Sequence, residues 1–536
     1  MNTTIGKTVF TVTAFSFAER FLGFIYRVFL SRTLGAEGLG IYQITLSVLG
    51  LFMTITSSGV PITVSRIMTK NKAEGRSDRD GAVVSSGILI ALALSVPITS
   101  AVLFRSSLVK ILFSDDRCMT ALTILIPGLI FTSVYAVFRG TFWGKKQFLT
   151  YSVIELAEEA VMLITGIVLI VFVSGKADGV EKACFAVLVS YLFSFAVSAM
   201  IYFIRKGKLS PPGSELKPLI VSSFPITTMR TSTSLVNTLI AVLLPARLIL
   251  YGMDPAAAVS EFGKIFGMAI PLIFIPSSLI GSIALVLVPE LSENFYSGKF
   301  FTLRNNIEKA TKFSCFVACL VIPIFFAFGK ELGNAIFSDA VAGEYVSVSS
   351  IVMFPLSLSL ITTSMLNSMN KEKQTLLFYA FGASALILCV LYLPKYFGAK
   401  SLAFGMFFSF SIASVCNLVL LSKVCPEKPR LTNYLAESFF FTIPCGLLGI
   451  FLRNLLTIRF SALPAFLIGT AILGAVGLQI IVEHSPPAEN SRILRVQAKD
   501  QADAQGVQAF EGLFRLRVGI LLEQSVIQHP DQLAGL

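Results

Sequence analysis

Charge and histidine are the two things this chain has least of. Only 14% of its 536 residues are Asp, Glu, Lys or Arg, against about 25% in soluble domains. A soluble globular fold is therefore excluded for most of the length. Both histidines, His484 and His529, fall near the C-terminal end, so no histidine-based metal site or catalytic triad can lie among the apolar runs. The eight cysteines show no CxxC pair and no metal-ligand spacing. Cys315 and Cys319 stand one helical turn apart in an apolar run and read as small core residues. No P-loop and no nucleophile elbow is present, which excludes ATP hydrolysis by this chain. No metal and no cofactor is expected. An intramembrane enzyme such as a glycan polymerase would need a large loop outside the membrane or acids clustered with histidine. The chain offers neither and does not read as an enzyme.

What it does have is apolar length. Hydrophobic residues make up 54% of the chain, with 47 Phe against one Trp. The expected fold is all-α and polytopic, with about fourteen spans at roughly 8–31, 41–66, 82–104, 120–143, 152–174, 183–204, 219–250, 262–288, 311–329, 346–369, 375–393, 401–421, 434–452 and 461–482. Lys7 precedes the first run, and no small-residue cleavage site follows it, so it reads as a span and not a signal peptide. The net charge of +12 does not point to nucleic acid, because the basic residues sit in short loops. Those on the N-terminal side, such as Lys70, Lys72, Lys145, Lys146, Arg205 and Lys206, outnumber those on the other. That bias places both termini in the cytoplasm.

An internal repeat organises the runs. Ser57-Ser58-Gly59-Val60-Pro61 resembles Ser277-Ser278-Leu279-Ile280-Gly281, and Leu112-Phe113-Ser114-Asp115-Asp116 resembles Ile336-Phe337-Ser338-Asp339-Ala340. Lys146-Gln147 matches Lys373-Gln374, Pro97 matches Pro323, and Pro127 matches Pro355. The partners keep their order at a near-constant offset of ~225 residues. The unit is six spans, an even number, so the two copies have parallel topology. The expected division is 1–210 for the first lobe, 211–425 for the second, 426–483 for two additional helices, and 484–536 for a polar cytoplasmic tail. Within that tail, 510–527 could form an amphipathic surface helix.

The charges inside the spans are few. Glu19, Arg20 and Arg27 share the first run, and Arg230 lies in the body of the seventh. A charge at the centre of a membrane helix costs roughly 2.5–3.5 kcal/mol on insertion scales, so each of these needs a water-filled path or a partner. Arg20 and Arg27 are two helical turns apart and share a face, about 10 Å apart along the axis. With Arg230 they would make an anion site, since guanidinium geometry suits phosphate oxygens. Glu155, Glu158 and Glu159 open the fifth run. Either the helix dipole accounts for them or, with Glu19, they serve a coupling ion or proton. Arg139 near the end of the fourth run reads as reaching the interface. Asn237, Asn367 and Asn417 read as helix–helix glue. Between two apolar runs, Leu34–Gly40 reads as a short glycine-rich turn.

Leu22-Gly23-Phe24-Ile25-Tyr26-Arg27, then Leu34-Gly35-Ala36-Glu37-Gly38-Leu39-Gly40-Ile41-Tyr42-Gln43, then Ser58-Gly59-Val60-Pro61 with Ser65-Arg66, resemble the stage V sporulation protein B group. That group belongs to the polysaccharide-transporter branch of the multidrug/oligosaccharidyl-lipid/polysaccharide exporter superfamily. The resemblance implies a fourteen-helix, two-lobed flippase that moves an undecaprenyl-pyrophosphate-linked glycan across the bacterial cytoplasmic membrane by alternating access. The glycan would be lipid II or a polysaccharide repeat unit, with links to peptidoglycan and spore cortex. The resemblance also implies a V-shaped cavity lined by Arg20, Arg27 and Arg230. Glu19, Glu155 and Glu159 are the ion-coupling candidates. The expected partners are the lipid-linked oligosaccharide, membrane lipids and cell-wall synthesis enzymes, and the expected state is a monomer. The alternative is a cation-coupled multidrug exporter of the same superfamily. Such an exporter prefers acidic cavity residues, and the arginines of the first span argue against it.

Overall fold

The computed structural model describes residues 3–104, 109, 112–173, 178–429, 431–459 and 461–484. The expected tail, with its candidate helix at 510–527, lies outside these residues apart from His484. Among the described residues every regular element is helical, as the apolar runs require: a bilayer leaves backbone groups no solvent partner, and a helix satisfies them internally. The first half comprises α1 (Thr3–Ser57), α2 (Val60–Ala73), α3 (Asp80–Phe104), α4 (Asp116–Leu125), α5 (Gly128–Gly144), α6 (Phe148–Ile167) and α7 (Gly179–Ile204). The second half comprises α8 (Leu216–Leu250), α9 (Pro255–Phe262), α10 (Ile270–Tyr296), α11 (Phe300–Phe337), α12 (Ala340–Ser349), α13 (Met353–Ser368), α14 (Glu372–Tyr392) and α15 (Ser401–Val424). Last come α16 (Leu431–Arg459) and α17 (Ala462–His484).

Nine of the described stretches are long and apolar enough to cross a membrane, or ten if α4 and α5, bent by 45°, form one span. The expected fourteen crossings would further need α1 to cross twice, α6 to cross despite its three glutamates, and α16 and α17 to cross as well. The Leu34–Gly40 turn is shorter than the sequence suggests. The helix is interrupted at Gly35 alone (φ 71°, ψ −178°), and Ala36 to Gly40 are already helical. Gly35 has the left-handed φ that a side chain disfavours, so one residue suffices to break the helix.

Of the described residues, those up to Gly474 form one compact unit and those from Ala475 onward belong to a second. Stretches 1–210 and 211–425 both lie in the first unit. Its core runs through both, from Leu30, Leu39 and Leu122 to Phe262, Phe337 and Met353. A separate cluster joins Phe328 and Ala327 of α11 to Leu452 of α16 and Ala465 of α17. The outer faces are apolar too: Phe104, Phe224, Phe440 and Ile458 are exposed, as lipid-facing side chains are.

The stretches paired by sequence share local architecture. Asp115 caps α4, accepting from Arg117 N at 2.8 Å, and Asp339 caps α12, accepting from Val341 N at 2.8 Å and Ala342 N at 2.9 Å. Both helices are ten residues long and end at a break that leads into a second helix. Lys146 before α6 and Asn370 before α14 both take the left-handed conformation, at φ 57° and 59°. Partial burial opposes ionisation of Asp115, but the hydrogen bonds from Arg117 outweigh it and hold that carboxyl below its ordinary range.

Candidate functional site

The N-terminal half of α1 and the body of α8 carry the charges singled out by sequence. Arg20 is exposed on α1, while Glu19 and Arg27 are half-buried. Arg27 lies in the electrostatic field of Glu159 on α6 and of Tyr42 on the later part of α1. Glu159 rests on α1 at Gly23, where a β-carbon would stand 3.6 Å from its Oε2. Glu19 interacts with Glu155 of α6 and Arg139 of α5.

Arg139 does not reach the interface as expected. It turns inward, pairing with Glu155 at 3.0 Å, with the two side chains only 28% and 19% exposed. Its guanidinium sits 5.8 Å from the Tyr135 ring and 5.4 Å from that of Trp143, within cation–π range. The cause is spacing: the two aromatics flank Arg139 four residues away on either side, so all three share one face of α5. That spacing is the signal by which sequence alone could have found the pair.

The helix-dipole account of the α6 glutamates also fails. α6 begins at Phe148 and has no acid in its first turn, and the dipole effect fades beyond one turn. Glu155, Glu158 and Glu159 instead face the other helices of the first half. Four carboxylates, Glu19, Glu155, Glu158 and Glu159, share this region with three guanidiniums, Arg20, Arg27 and Arg139. Buried charge must be paired or neutralised, and here negative charge is in surplus. Glu159 Oε2, Arg139 Nε and the hydroxyls of Tyr26 and Tyr135 are buried atoms without a hydrogen-bond partner. Among the described residues no group of three or more His, Cys, Asp or Glu is arranged to hold a metal ion.

Arg230 is exposed on α8, and its Nη1 donates to Ser58 O at 3.4 Å. Ser58 lies at the break between α1 and α2. Beside it, Gly59 lets the α8 backbone at Ser223 approach more closely than any side chain would permit. Lower on α8, Thr238 donates to Ser47 O at 2.8 Å. α8 therefore packs on α1, α2 and α3 of the first half as well as on α14 of the second. Arg32, further along α1, also joins the halves. Arg32 Nε donates to Ile336 O at 2.7 Å and its Nη2 to Ala335 O, two orphan carbonyls at the end of α11. Close by, a β-carbon at Gly263 would collide with Ala36 O. Arg27 thus lies in the field of Glu159 within the first half, while Arg230 meets Ser58 at the α1–α2 break.

Comparison with known proteins agrees with this architecture. A family model described as "Polysaccharide biosynthesis protein" matches residues 5–295. Stage V sporulation protein B of Bacillus subtilis (strain 168) is 22% identical over 460 residues, covering 83% of this chain and 88% of that protein. Among solved structures, the lipid II flippase MurJ in an inward closed conformation superposes with a TM-score of 0.63 at 13% identity, covering 88% of this chain and 100% of the other. An inward-facing multidrug resistance MATE family transporter of the MOP superfamily gives 0.60 at 14% identity, covering 80% and 95%. The fold is that of these polytopic transporters.

Proposed function

The chain belongs to the polysaccharide biosynthesis protein family, and from that premise we propose that it is a flippase for an undecaprenyl-pyrophosphate-linked glycan. The observation that carries this reading is Arg230, a guanidinium exposed on the body of a membrane-spanning helix. Facing lipid it would be costly. Facing a water-filled path between the two halves, it is a ready partner for phosphate oxygens. Arg20, exposed on α1, and Arg27 complete the anion site as the two lobes rock, and the prenyl tail stays in lipid. The stage V sporulation protein B and lipid II flippase resemblances support a lipid-linked glycan as the cargo.

Glu19, Glu155 and Glu159 form the coupling site in this reading. The surplus of carboxylate over guanidinium in the first half supports binding of a monovalent cation or proton, which would alter how α1 is held against α5 and α6. Two parallel six-helix lobes plus two C-terminal helices make fourteen crossings. Both termini lie in the cytoplasm, the chain acts as a monomer, and cell-wall synthesis enzymes receive the product. The protein is a transporter and not an enzyme.

A second reading, a cation-coupled multidrug exporter, is favoured by the same carboxylates. Proteoliposomes separate the two. Flipping of a labelled undecaprenyl-pyrophosphate sugar by the wild type, and its loss in Arg20→Ala and Arg230→Ala, is the expected result. Absence of flipping by correctly folded wild type, together with cation-driven uptake of a lipophilic cationic dye, would establish the exporter instead.

A further inference from the structure

Three asparagines lie inside apolar runs, and two have the helix–helix role expected of them. Asn417 donates to Thr362 Oγ1 at 3.2 Å and Thr363 Oγ1 at 2.9 Å. Asn367 accepts from Thr375 Oγ1 at 2.8 Å. Asn237 is different. It is exposed near the middle of α8 and has no hydrogen-bond partner among the described residues.

Its place on the helix is informative. Positions 223, 230, 237 and 244 are seven apart and share one face of α8. Ser223 at one end is 6% exposed and Leu244 at the other is fully buried, while Arg230 and Asn237 between them are exposed. Ala241, one turn beyond Asn237, is buried as well. The face is therefore packed at both ends and open only in the middle, where it presents one guanidinium and one amide. An amide turned to hydrocarbon leaves its hydrogen bonds unmade at a cost of several kcal/mol, so the opening faces a polar medium. Thr233 lies between the two residues on an adjoining face, and α14 packs on α8 and closes one side.

We propose that Asn237 reads the sugar of the cargo whose phosphates Arg230 engages. This inference rests on the flippase reading. An amide offers two donors and an acceptor, the complement of a hydroxyl or an acetamido group, whereas a guanidinium offers donors only. The two residues are about 10 Å apart along the helix axis, a span that a sugar joined to a phosphate can bridge. Arg230 thus holds the part common to every lipid-linked glycan, and Asn237 distinguishes among glycans.

The test compares binding of two lipids to the purified full chain in nanodiscs: undecaprenyl pyrophosphate, and the same lipid carrying an N-acetylhexosamine. Size-exclusion profile and thermal unfolding establish that each variant is folded. Asn237→Ala is expected to weaken the sugar-bearing lipid about tenfold, the effect of one to two lost hydrogen bonds, and to leave the sugar-free lipid unchanged. Asn237→Gln recovers part of the loss, and Arg230→Ala weakens both lipids alike. Equal weakening of both lipids by Asn237→Ala, or no weakening of either, overturns the sugar assignment while the flippase reading stands. Wild type that binds neither lipid overturns both.

Discussion

Arg139 and Glu155 form an ion pair 3.0 Å long between α5 and α6, roofed by Tyr135 and Trp143 on the same helix as the arginine. Removing either partner leaves a partly buried charge uncompensated, which costs more than the pair itself contributes. Arg139→Ala and Glu155→Ala should each lower stability by about 2–3 kcal/mol. Thermal unfolding in detergent reads this, and the double variant should be less destabilised than the sum of the two singles. Strict additivity would mean that the pair is not coupled.

Arg32 ties α1 to the end of α11 through Ile336 O and Ala335 O. Arg32→Ala removes both hydrogen bonds and frees two terminal carbonyls, a loss of about 1–3 kcal/mol. Amide hydrogen exchange over 335–339 should accelerate in the variant. Unchanged exchange there would show that other contacts hold the α11 end.

Asp115 and Asp339 cap corresponding helices with the same chemistry. Asp115→Ala and Asp339→Ala should each cost about 1 kcal/mol. Asp115 has a further dependence on acidity. Its carboxyl titrates below the ordinary range when folded, so its contribution is full above the unfolded value near 3.9 and is lost as pH falls through the lowered folded value. Unfolding curves of wild type and Asp115→Ala should therefore converge only in strong acid. Convergence near neutral pH would contradict the assignment.

The arginines of the proposed anion site should matter for transport and little for folding. Arg20 and Arg230 are exposed, so Arg20→Ala and Arg230→Ala are expected to insert and unfold like wild type while complementation of a flippase-deficient strain is lost. Full complementation by both variants would remove the anion site from the mechanism.

How much of this was legible in the sequence depends on the distance over which each feature is decided. Helical class follows from apolar run length, and the helix break near Gly35 from local glycine chemistry, although the flanking residues proved helical. The Asp caps could be read from Ser-Asp at matched positions. The arrangement of charge in the first half could not. Glu159 acts electrostatically on Arg27 across two helices distant in the chain, and Glu155 lies two turns inside α6, where no local rule places it. Arg139 was half legible, since Tyr135 and Trp143 flank it at one-turn spacing, but its partner is fixed by packing. Asn237 reads like Asn417 in sequence, and only the packing of α8 separates them.

The connection between the halves, 205–215, precedes a helix that is already committed to the first half: α8 packs on α1, α2 and α3, while Arg32 and Gly263 bind α1 to the second half in return. Each half thus holds a piece of the other through contacts outside the peptide that joins them. Covalent continuity at this loop adds effective concentration, and the loop itself is held on the first half by the Arg79–Glu215 ion pair and by Ser86 donating to Pro212 O. Two polypeptides, one ending and the other beginning within it, should assemble when co-expressed, and the gene could be split there to label one half alone.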